Sequence, residues 1–321
     1  MPISNSRINA SGRRGFWSWL SSNQSYCRAS LFLLGTKRRR FIFLAAIPVL
    51  WALAANFAPL LKMLDISFYE AYPLSKGKGI VYTLDNWIEF FLLNVYTIPF
   101  LRSIVFSIIL TISTLILTYP IAYYLAQHLP KSKQLLFLLI LLIPFWVGEI
   151  IRTFAIMILL GNRGLINLIL QYFGLIERPI PFMYTHFSLG IGIVYLTSLY
   201  MLLPLYSILE QIPKNLLEAS ADLGAGPWKR FWRVTLPLSK DGITSGCTLV
   251  FLISTGFYAA PVMLGGPSST MFSETIAGHF NVAADRWPVG AAFSSIMLIT
   301  TIFVAASFLK IMGRGGKGIL R

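Results

Sequence analysis

Long apolar segments alternate with short polar segments along most of the chain. Six apolar windows are each long enough to cross the hydrocarbon of a bilayer, which takes about 20 helical residues. Several contain prolines, which membrane helices tolerate because neighbouring helices satisfy the freed carbonyl groups. The pattern predicts an all-α integral membrane protein with six transmembrane helices. The windows are residues 41–61, 99–126, 135–160, 186–209, 243–264 and 289–311.

Composition supports a membrane protein over a soluble one. Hydrophobic residues make up 56% of the chain, charged residues only 12%, and the mean hydropathy is +0.69, whereas soluble domains carry about 25% charged residues. The two cysteines, Cys27 and Cys247, lie in different segments, and the three histidines lack the spacing of metal ligands. The sequence therefore predicts no metal site and no disulfide.

The net charge of +15 is distributed unevenly. Eight basic residues and no acidic residue precede residue 41, and further basic residues follow the second, fourth and sixth apolar windows. Basic residues concentrate on the cytoplasmic side of membrane proteins. We therefore expect both termini in the cytoplasm. The basic residues before residue 41 would face anionic lipid headgroups, and no nucleic-acid partner is expected.

A polar island at residues 218–237 separates the fourth and fifth apolar windows. Pro213 can begin a helix, and helical spacing then predicts that Leu216, Leu217, Ser220 and Leu223 share one face. Gly224 and Gly226 allow a sharp turn. Trp228, Phe231 and Trp232 give the next short helix an aromatic face. The charge distribution places this island in the cytoplasm.

The island also matches a known spacing. Glu218-Ala219-Ser220, Gly224, Val234 and Leu236-Pro237 resemble the EAA loop of type I ABC importer permeases, with Ser220 in place of Ala and Val234 in place of Ile. In that family the loop docks into a cleft of a separate ATPase. The resemblance implies ATPase coupling by Glu218, Ala219, Ser220, Gly224, Leu236 and Pro237.

The resemblance further implies the fold and the partners. The expected fold is a five-helix ABC transmembrane type-1 domain at residues 99–311 with a coupling loop at 212–240, in the bacterial inner membrane. Before it come a basic, disordered tail at 1–40, a first transmembrane helix at 41–64 and a periplasmic loop at 65–98. A cytoplasmic tail at 312–321 follows it. The expected partners are two ATPase subunits, a second similar permease, a periplasmic substrate-binding protein and the lipid bilayer.

No catalytic residue and no cofactor is expected in this chain. The phosphate-binding loop of ATPases requires Gly-Lys-Ser or Gly-Lys-Thr, and neither occurs in the sequence. The resemblance therefore implies that a separate chain binds ATP and magnesium and hydrolyses the nucleotide.

Other segments resemble a narrower group. Ile143-Pro144-Phe145-Trp146 with Arg152, together with residues 203–206, 264–266 and 287–292, are similar to the B-type permeases of spermidine and putrescine importers. The same segments occur in permeases of the wider polyamine-type branch. The resemblance implies a polyamine solute and leaves aminobutyrate or a phosphonate open.

Charge inside an apolar window is expensive in hydrocarbon and usually faces a cavity. Glu149 and Arg152 lie in the middle of the third window on one helical face. They are candidates for a solute path, and an intrahelical ion pair is an equally open interpretation. Glu149 suits a polyamine, with aromatic rings offering cation–π faces, whereas Arg152 suits a carboxylate or phosphonate. The candidate path residues are Trp146, Glu149, Arg152, Tyr184, Tyr195 and Tyr258.

Two other classes of protein fit the composition less well. A stand-alone channel or secondary transporter often carries internal repeats, and none is evident in the sequence. A membrane enzyme needs clustered reactive side chains within the apolar segments, and these are absent from the sequence.

Overall fold

The computed structural model describes residues 37–73, 79–281 and 286–313. The chain divides into two units, residues 1–65 and residues 66–321. The first unit contains helix α1, Lys37–Ile66, which continues for one residue into the second. The helix begins before the boundary predicted at residue 41, because Lys37 to Arg40 are helical. Residues 1–36 and 314–321, which hold the rest of both predicted tails, lie outside the described residues.

The second unit is built from helices throughout its described part. In order these are α2 Asp85–Leu92, α3 Asn94–Tyr123, α4 Lys131–Leu142, α5 Glu149–Leu160, α6 Leu165–Tyr172, α7 His186–Glu210, α8 Lys214–Asp222, α9 Pro227–Arg230, α10 Leu236–Leu238, α11 Lys240–Gly256, α12 Ala259–Leu264, α13 Phe272–Asn281 and α14 Trp287–Gly313. Two π-helical turns, Tyr124–His128 and Phe231–Thr235, extend α3 and α9.

Two predicted membrane helices are interrupted. The window 135–160 forms α4, a 3₁₀ turn at Ile143–Trp146, and α5. Proline lacks the N–H that a helix interior needs; here Pro144 lies in the 3₁₀ turn and extended backbone at Val147 precedes α5. The window 243–264 breaks at Phe257, whose backbone is extended between α11 and α12. The prediction of one continuous helix is wrong for both windows.

Five helical segments of the described residues are long and apolar enough to cross a membrane: 44–66, 94–128, 149–172, 186–210 and 287–310. Helix α11 has 17 residues, a length of about 25 Å, somewhat short of the roughly 30 Å hydrocarbon core. The all-α class of the prediction is confirmed, and the count of six crossings stays a prediction.

Helix α7 lies at the centre of the second unit. It packs against α3 and α11, which also pack against each other, and α11 packs against α14. Met201, Leu205 and Leu209 of α7 and Val250 of α11 are completely buried in the largest apolar cluster. This cluster includes the C-terminal ends of α3 and α7, and α7 leads into the polar island.

Small residues let α11 approach α7 closely. A Cβ atom at Gly242 would lie 3.0 Å from the Pro204 carbonyl oxygen, and one at Gly246 would lie 2.7 Å from the Met201 sulfur. The Gly-x-x-x-Gly pair therefore serves close helix packing, as such pairs commonly do in membranes.

The segment predicted as a loop at 65–98 contains α2 and the first residues of α3. Buried Asn86 in α2 donates through Nδ2 to the carbonyl oxygens of Ser67 at 3.0 Å and Tyr69 at 2.8 Å. Buried polar side chains are stable where such bonds are made, so Asn86 fastens the chain before α2 to the helix.

Candidate functional site

The polar island folds into a compact bend between α7 and α11. We call residues 213–239 the elbow. Helix α8 begins directly after Pro213, a turn at residues 223–226 follows, and then come α9, a π-helical turn and α10. Pro227 at the first position of α9 suits a helix start, where its missing N–H has no partner to lose.

Gly224 ends α8 in a left-handed conformation with φ of +80°. The Ala225 N–H donates to the Ser220 carbonyl at 3.0 Å, and the Gly224 N–H donates to the Ala221 carbonyl at 2.8 Å. This pair of bonds is a Schellman motif, which satisfies carbonyls at a helix end and favours glycine at the left-handed position. The spacing from Glu218 to Gly224 is thus the spacing of a helix and its C-terminal cap.

The motif residues differ in exposure. Glu218 and Ala219 are exposed, Ser220 is half-buried, and Leu236 and Pro237 are half-buried. Glu218 forms no ion pair with another described residue. The Ser220 hydroxyl donates to the Leu217 carbonyl at 2.8 Å within α8. The exposed Glu218 carboxylate is therefore available for charge-assisted hydrogen bonds from a partner.

The elbow exposes large apolar side chains. The exposed fractions are 88% for Leu223, 74% for Trp228, 53% for Trp232 and 47% for Leu216, whereas Leu217 is buried at 9%. The prediction that Leu216, Leu217 and Leu223 share one face is therefore wrong, because Leu217 packs inward on the helical core. Exposed aromatic and aliphatic side chains in one short segment are typical of an interaction surface.

The exit of the elbow and the chain directly before its entry are held by the C-terminal end of α3 and by its π-helical turn. The Tyr119 hydroxyl lies 2.9 Å from the Ser239 hydroxyl at the exit. Gln127 donates through Nε2 to the carbonyls of Leu209 at 2.5 Å and Ile212 at 3.2 Å at the entry. Sequence reasoning missed these residues. The available signals were a tyrosine near the end of the second apolar window and a glutamine directly after it.

The charged pair of the predicted solute path lies at a helix start. Glu149 is the first residue of α5, so the prediction of a mid-helix position is wrong; Gly148 caps the new helix after the break at Pro144. No ion pair joins Glu149 and Arg152 among the described residues. The Arg152 guanidinium instead lies over the Phe145 ring at 5.7 Å, and its buried Nε has no hydrogen-bond partner in the described part of the chain.

The aromatic residues predicted for the path are spread over several elements. Trp146 is 90% exposed beside the α5 start. Tyr184 has φ of +61° and donates its backbone N–H to Leu264 at 3.1 Å. Tyr195 lines a cavity of about 550 Å³ between α3 and α7, and Tyr258 lines a different one of about 420 Å³ among α11, α13 and α14. These two tyrosines therefore do not share one cavity.

Other candidate chemistry is sparse. No group of three His, Cys, Asp or Glu side chains that suits a metal ion occurs among the described residues. Cys247 is a buried free thiol in α11. His279 in α13 packs edge-on against the rings of Tyr96 and Phe293, 5.6 and 5.3 Å away. Burial, and to a smaller extent the positive Arg286, lower the pKa of His279.

Comparisons with known proteins agree with this geometry. Residues 83–315 match the family described as "Binding-protein-dependent transport system inner membrane component". The chain is 36% identical over 267 residues to the spermidine/putrescine transport system permease protein PotB of Salmonella typhimurium (strain SL1344), covering 83% of this chain and 90% of that protein. PotB of Escherichia coli (strain K12) is 36% identical over 249 residues, covering 78% and 89%.

The fold is found in a solved transporter as well. One chain in the crystal structure of a bacterial alginate ABC transporter, in complex with an alginate pentasaccharide-bound periplasmic protein, matches with a TM-score of 0.67. The match covers 87% of this chain and 96% of that chain at 15% sequence identity. Together the matched residues and the apolar helices make this chain a multi-pass inner-membrane protein. It belongs to the family of binding-protein-dependent transport system inner membrane components, the permeases of ABC importers.

Proposed function

We propose that this permease forms half of the transmembrane path of an importer for spermidine, putrescine or a related amine. The observation that carries the proposal is the 36% identity with permeases named for spermidine and putrescine, which extends over 83% of the chain. The sequence resemblance at Ile143 to Trp146 and at Arg152 points to the same group.

The elbow is the proposed docking element for an ATPase. Its exposed Leu223 and Trp228 offer apolar contacts, and the unpaired Glu218 carboxylate offers a charged acceptor. The helix cap at Gly224 fixes the angle between α8 and α9. Movement of the ATPase would then reach the membrane helices through a rigid bend.

The proposed assembly contains two ATPase subunits, this chain, a second similar permease and a periplasmic substrate-binding protein. Both chain termini and the elbow face the cytoplasm, in keeping with the distribution of basic residues. Six crossings result if α11 and α12 together span the membrane. The ATPase subunits bind ATP and magnesium, and this chain contributes no catalytic residue.

Glu149 is the proposed contact for an ammonium group of the solute. It is half-buried at the α5 start and has no ion-pair partner among the described residues. The exposed ring of Trp146 nearby in sequence offers a cation–π face. Tyr184, Tyr195 and Tyr258 are proposed contacts along other parts of the path.

A second solute class is supported by Arg152. Within the described residues, its buried Nε lacks a hydrogen-bond partner and no carboxylate pairs with its guanidinium. A guanidinium binds carboxylate and phosphonate groups through paired hydrogen bonds. An amino acid such as aminobutyrate, or a phosphonate, would fit this group better than a polyamine would.

The test uses the complete transporter in proteoliposomes, with radiolabelled spermidine, putrescine, aminobutyrate and an alkylphosphonate as solutes. We expect saturable, ATP-dependent uptake of a polyamine that excess unlabelled polyamine suppresses. Glu149→Gln should raise the KM for spermidine. If aminobutyrate or the phosphonate is imported instead, and Arg152→Gln rather than Glu149→Gln abolishes uptake, the second class is correct.

Coupling is tested with a matched pair of glutamate variants. Glu218→Gln removes the charge of the elbow, whereas Glu177→Gln removes an exposed charge from the segment between α6 and α7. We expect Glu218→Gln to reduce transport in complexes that still assemble, and Glu177→Gln to behave as the unmodified protein. Uptake that persists without ATP or an ATPase subunit would support a channel or secondary transporter.

A further inference from the structure

The exit of the elbow and the chain directly before its entry are both fastened to one continuous stretch of chain outside it. This stretch, residues 119–134, comprises the last turn of α3, a π-helical turn and the first residues of α4. We call it the lever. Tyr119 reaches Ser239 at the elbow exit, and Gln127 reaches Ile212 just before the elbow begins. Contacts at both ends let a displacement of the elbow pass directly to α3.

The entry contact is unusually well defined for a side chain. A helix end leaves its last four carbonyl groups without intrahelical partners. The Gln127 amide donates to the Leu209 carbonyl in the last turn of α7 at 2.5 Å and to the Ile212 carbonyl just after the helix at 3.2 Å. Gln127 is 8% exposed and lies 82 residues from Leu209 in the chain. It therefore caps α7 from another helix.

A second glutamine, Gln134, connects α7 back to the π-helical turn that follows α3. Gln134 donates through Nε2 to the carbonyls of Ala126 and Leu129, both at 3.1 Å. Its amide oxygen accepts a hydrogen bond from the Tyr206 hydroxyl of α7 at 3.3 Å. The end of α3 is thus capped by a residue that α7 holds, while the end of α7 is capped by Gln127.

The exit contact combines a hydrogen bond with ring packing. The Tyr119 hydroxyl lies 2.9 Å from Ser239, and its ring packs edge-on against Phe231 of the elbow with centroids 5.5 Å apart. Both the lever and the elbow contain a π-helical turn, and such turns occur frequently at functional sites. The Gln127 amide oxygen remains buried without a partner in the described part of the chain.

We propose that Gln127 is a positioning residue for coupling, which joins the elbow entry to α3 so that movement of the elbow moves the transmembrane path. Tyr119 makes the corresponding connection at the exit. The inference rests on the proposed coupling function of the elbow. It adds that the elbow acts on α3 through the lever as well as on the two helices to which it is covalently joined.

The experiment measures ATP hydrolysed per solute imported by the complete transporter in proteoliposomes. Gln127→Met keeps a side chain of similar length and removes the amide donor. We expect the ratio of ATP hydrolysed to solute imported to rise several-fold, while ATP hydrolysis per assembled complex stays near its original rate. A purely structural role would lower the amount of assembled complex and leave this ratio unchanged.

The matched control is Gln211→Met. Gln211 also donates to a carbonyl near the end of α7, that of Ser207 at 2.9 Å, but it is exposed and its bond stays within the helix. Its variant should keep the original ratio. A ratio for Gln127→Met equal to that of Gln211→Met would overturn the proposal.

Tyr119→Phe gives an independent test if Gln127→Met does not assemble. It removes one hydroxyl and keeps the ring on Phe231, so the ratio should again rise, and an unchanged ratio would overturn the proposal. Failure of the proposed function has a different signature, because the unmodified transporter would then show no ATP-dependent import at all. Normal coupling in the unmodified protein and in every variant would reject the lever alone.

Discussion

Gly224→Ala perturbs the elbow through backbone conformation alone. Gly224 has φ of +80°, and no atom lies within 4 Å of the position that a Cβ would take. The substitution therefore introduces no clash, but it forces an L-residue into the left-handed region at about 1–2 kcal/mol. That free energy reduces the population of the observed elbow conformation by roughly 5- to 30-fold relative to alternatives.

The matched control lies two residues away. Gly226 has φ of −60° and ψ of 163°, which any residue before a proline adopts readily, and a Cβ there also meets nothing within 4 Å. We expect Gly226→Ala to preserve transport. Gly224→Asn should fall between the two alanine variants, because asparagine tolerates the left-handed conformation better than other residues.

The assay compares import rate and ATP hydrolysis for equal amounts of assembled transporter in proteoliposomes. For Gly224→Ala we expect slower import with normal membrane insertion, since the strain is confined to an exposed turn. Equal import by the Gly224→Ala and Gly226→Ala variants would refute the reasoning, because neither substitution introduces a clash and the two sites have φ of opposite sign.

Three other predictions concern packing, hydrogen bonding and pH. Gly246→Ala should destabilise the chain by about 1–3 kcal/mol through overpacking, measured by thermal unfolding in detergent, whereas Gly256→Ala, where a Cβ meets no atom within 4 Å, should be neutral. Asn86→Ala should lower the stability by about 1–3 kcal/mol in the same assay, because two buried carbonyls lose the Asn86 amide donor. The control is Asn56→Ala, since Asn56 is exposed. Equal losses of stability in the two variants would contradict the prediction for Asn86. Burial lowers the pKa of His279 below 6.5. The contribution of the neutral imidazole to stability is therefore complete above pH 6.5 and is lost as the pH falls from 6.5 towards the folded pKa. His279→Gln should flatten this part of the profile of stability against pH, and an unchanged slope would exclude His279 as its source.

The sequence by itself determined the all-α membrane class of the protein and the local backbone structure of the elbow. A run of about 20 apolar residues favours membrane-spanning helical structure, because a helix satisfies its backbone polar groups within its own segment. The structure of the elbow also depends on local sequence. The helix after Pro213 and the cap at Gly224 involve residues only a few positions apart, so the spacing of these residues predicts both features.

The two interrupted helices are features that the local sequence did not predict. Pro144 and Pro261 were visible in the sequence, yet membrane helices contain prolines with and without breaks. At Pro144 the chain turns and α5 starts anew at Glu149, whereas Pro48 lies inside continuous α1. The presence of a proline therefore does not by itself specify a break.

Only the tertiary structure decided which side chains face inward and which are connected. Leu216 and Leu217 are chemically identical neighbours, and only packing on the core makes one exposed and the other buried. The bond from Gln127 to the end of α7 joins residues 82 positions apart, and no periodicity in the sequence specifies such a pair. Helix existence depends on nearest neighbours and on the solvent, whereas the connections that would carry movement from the elbow depend on how whole helices pack.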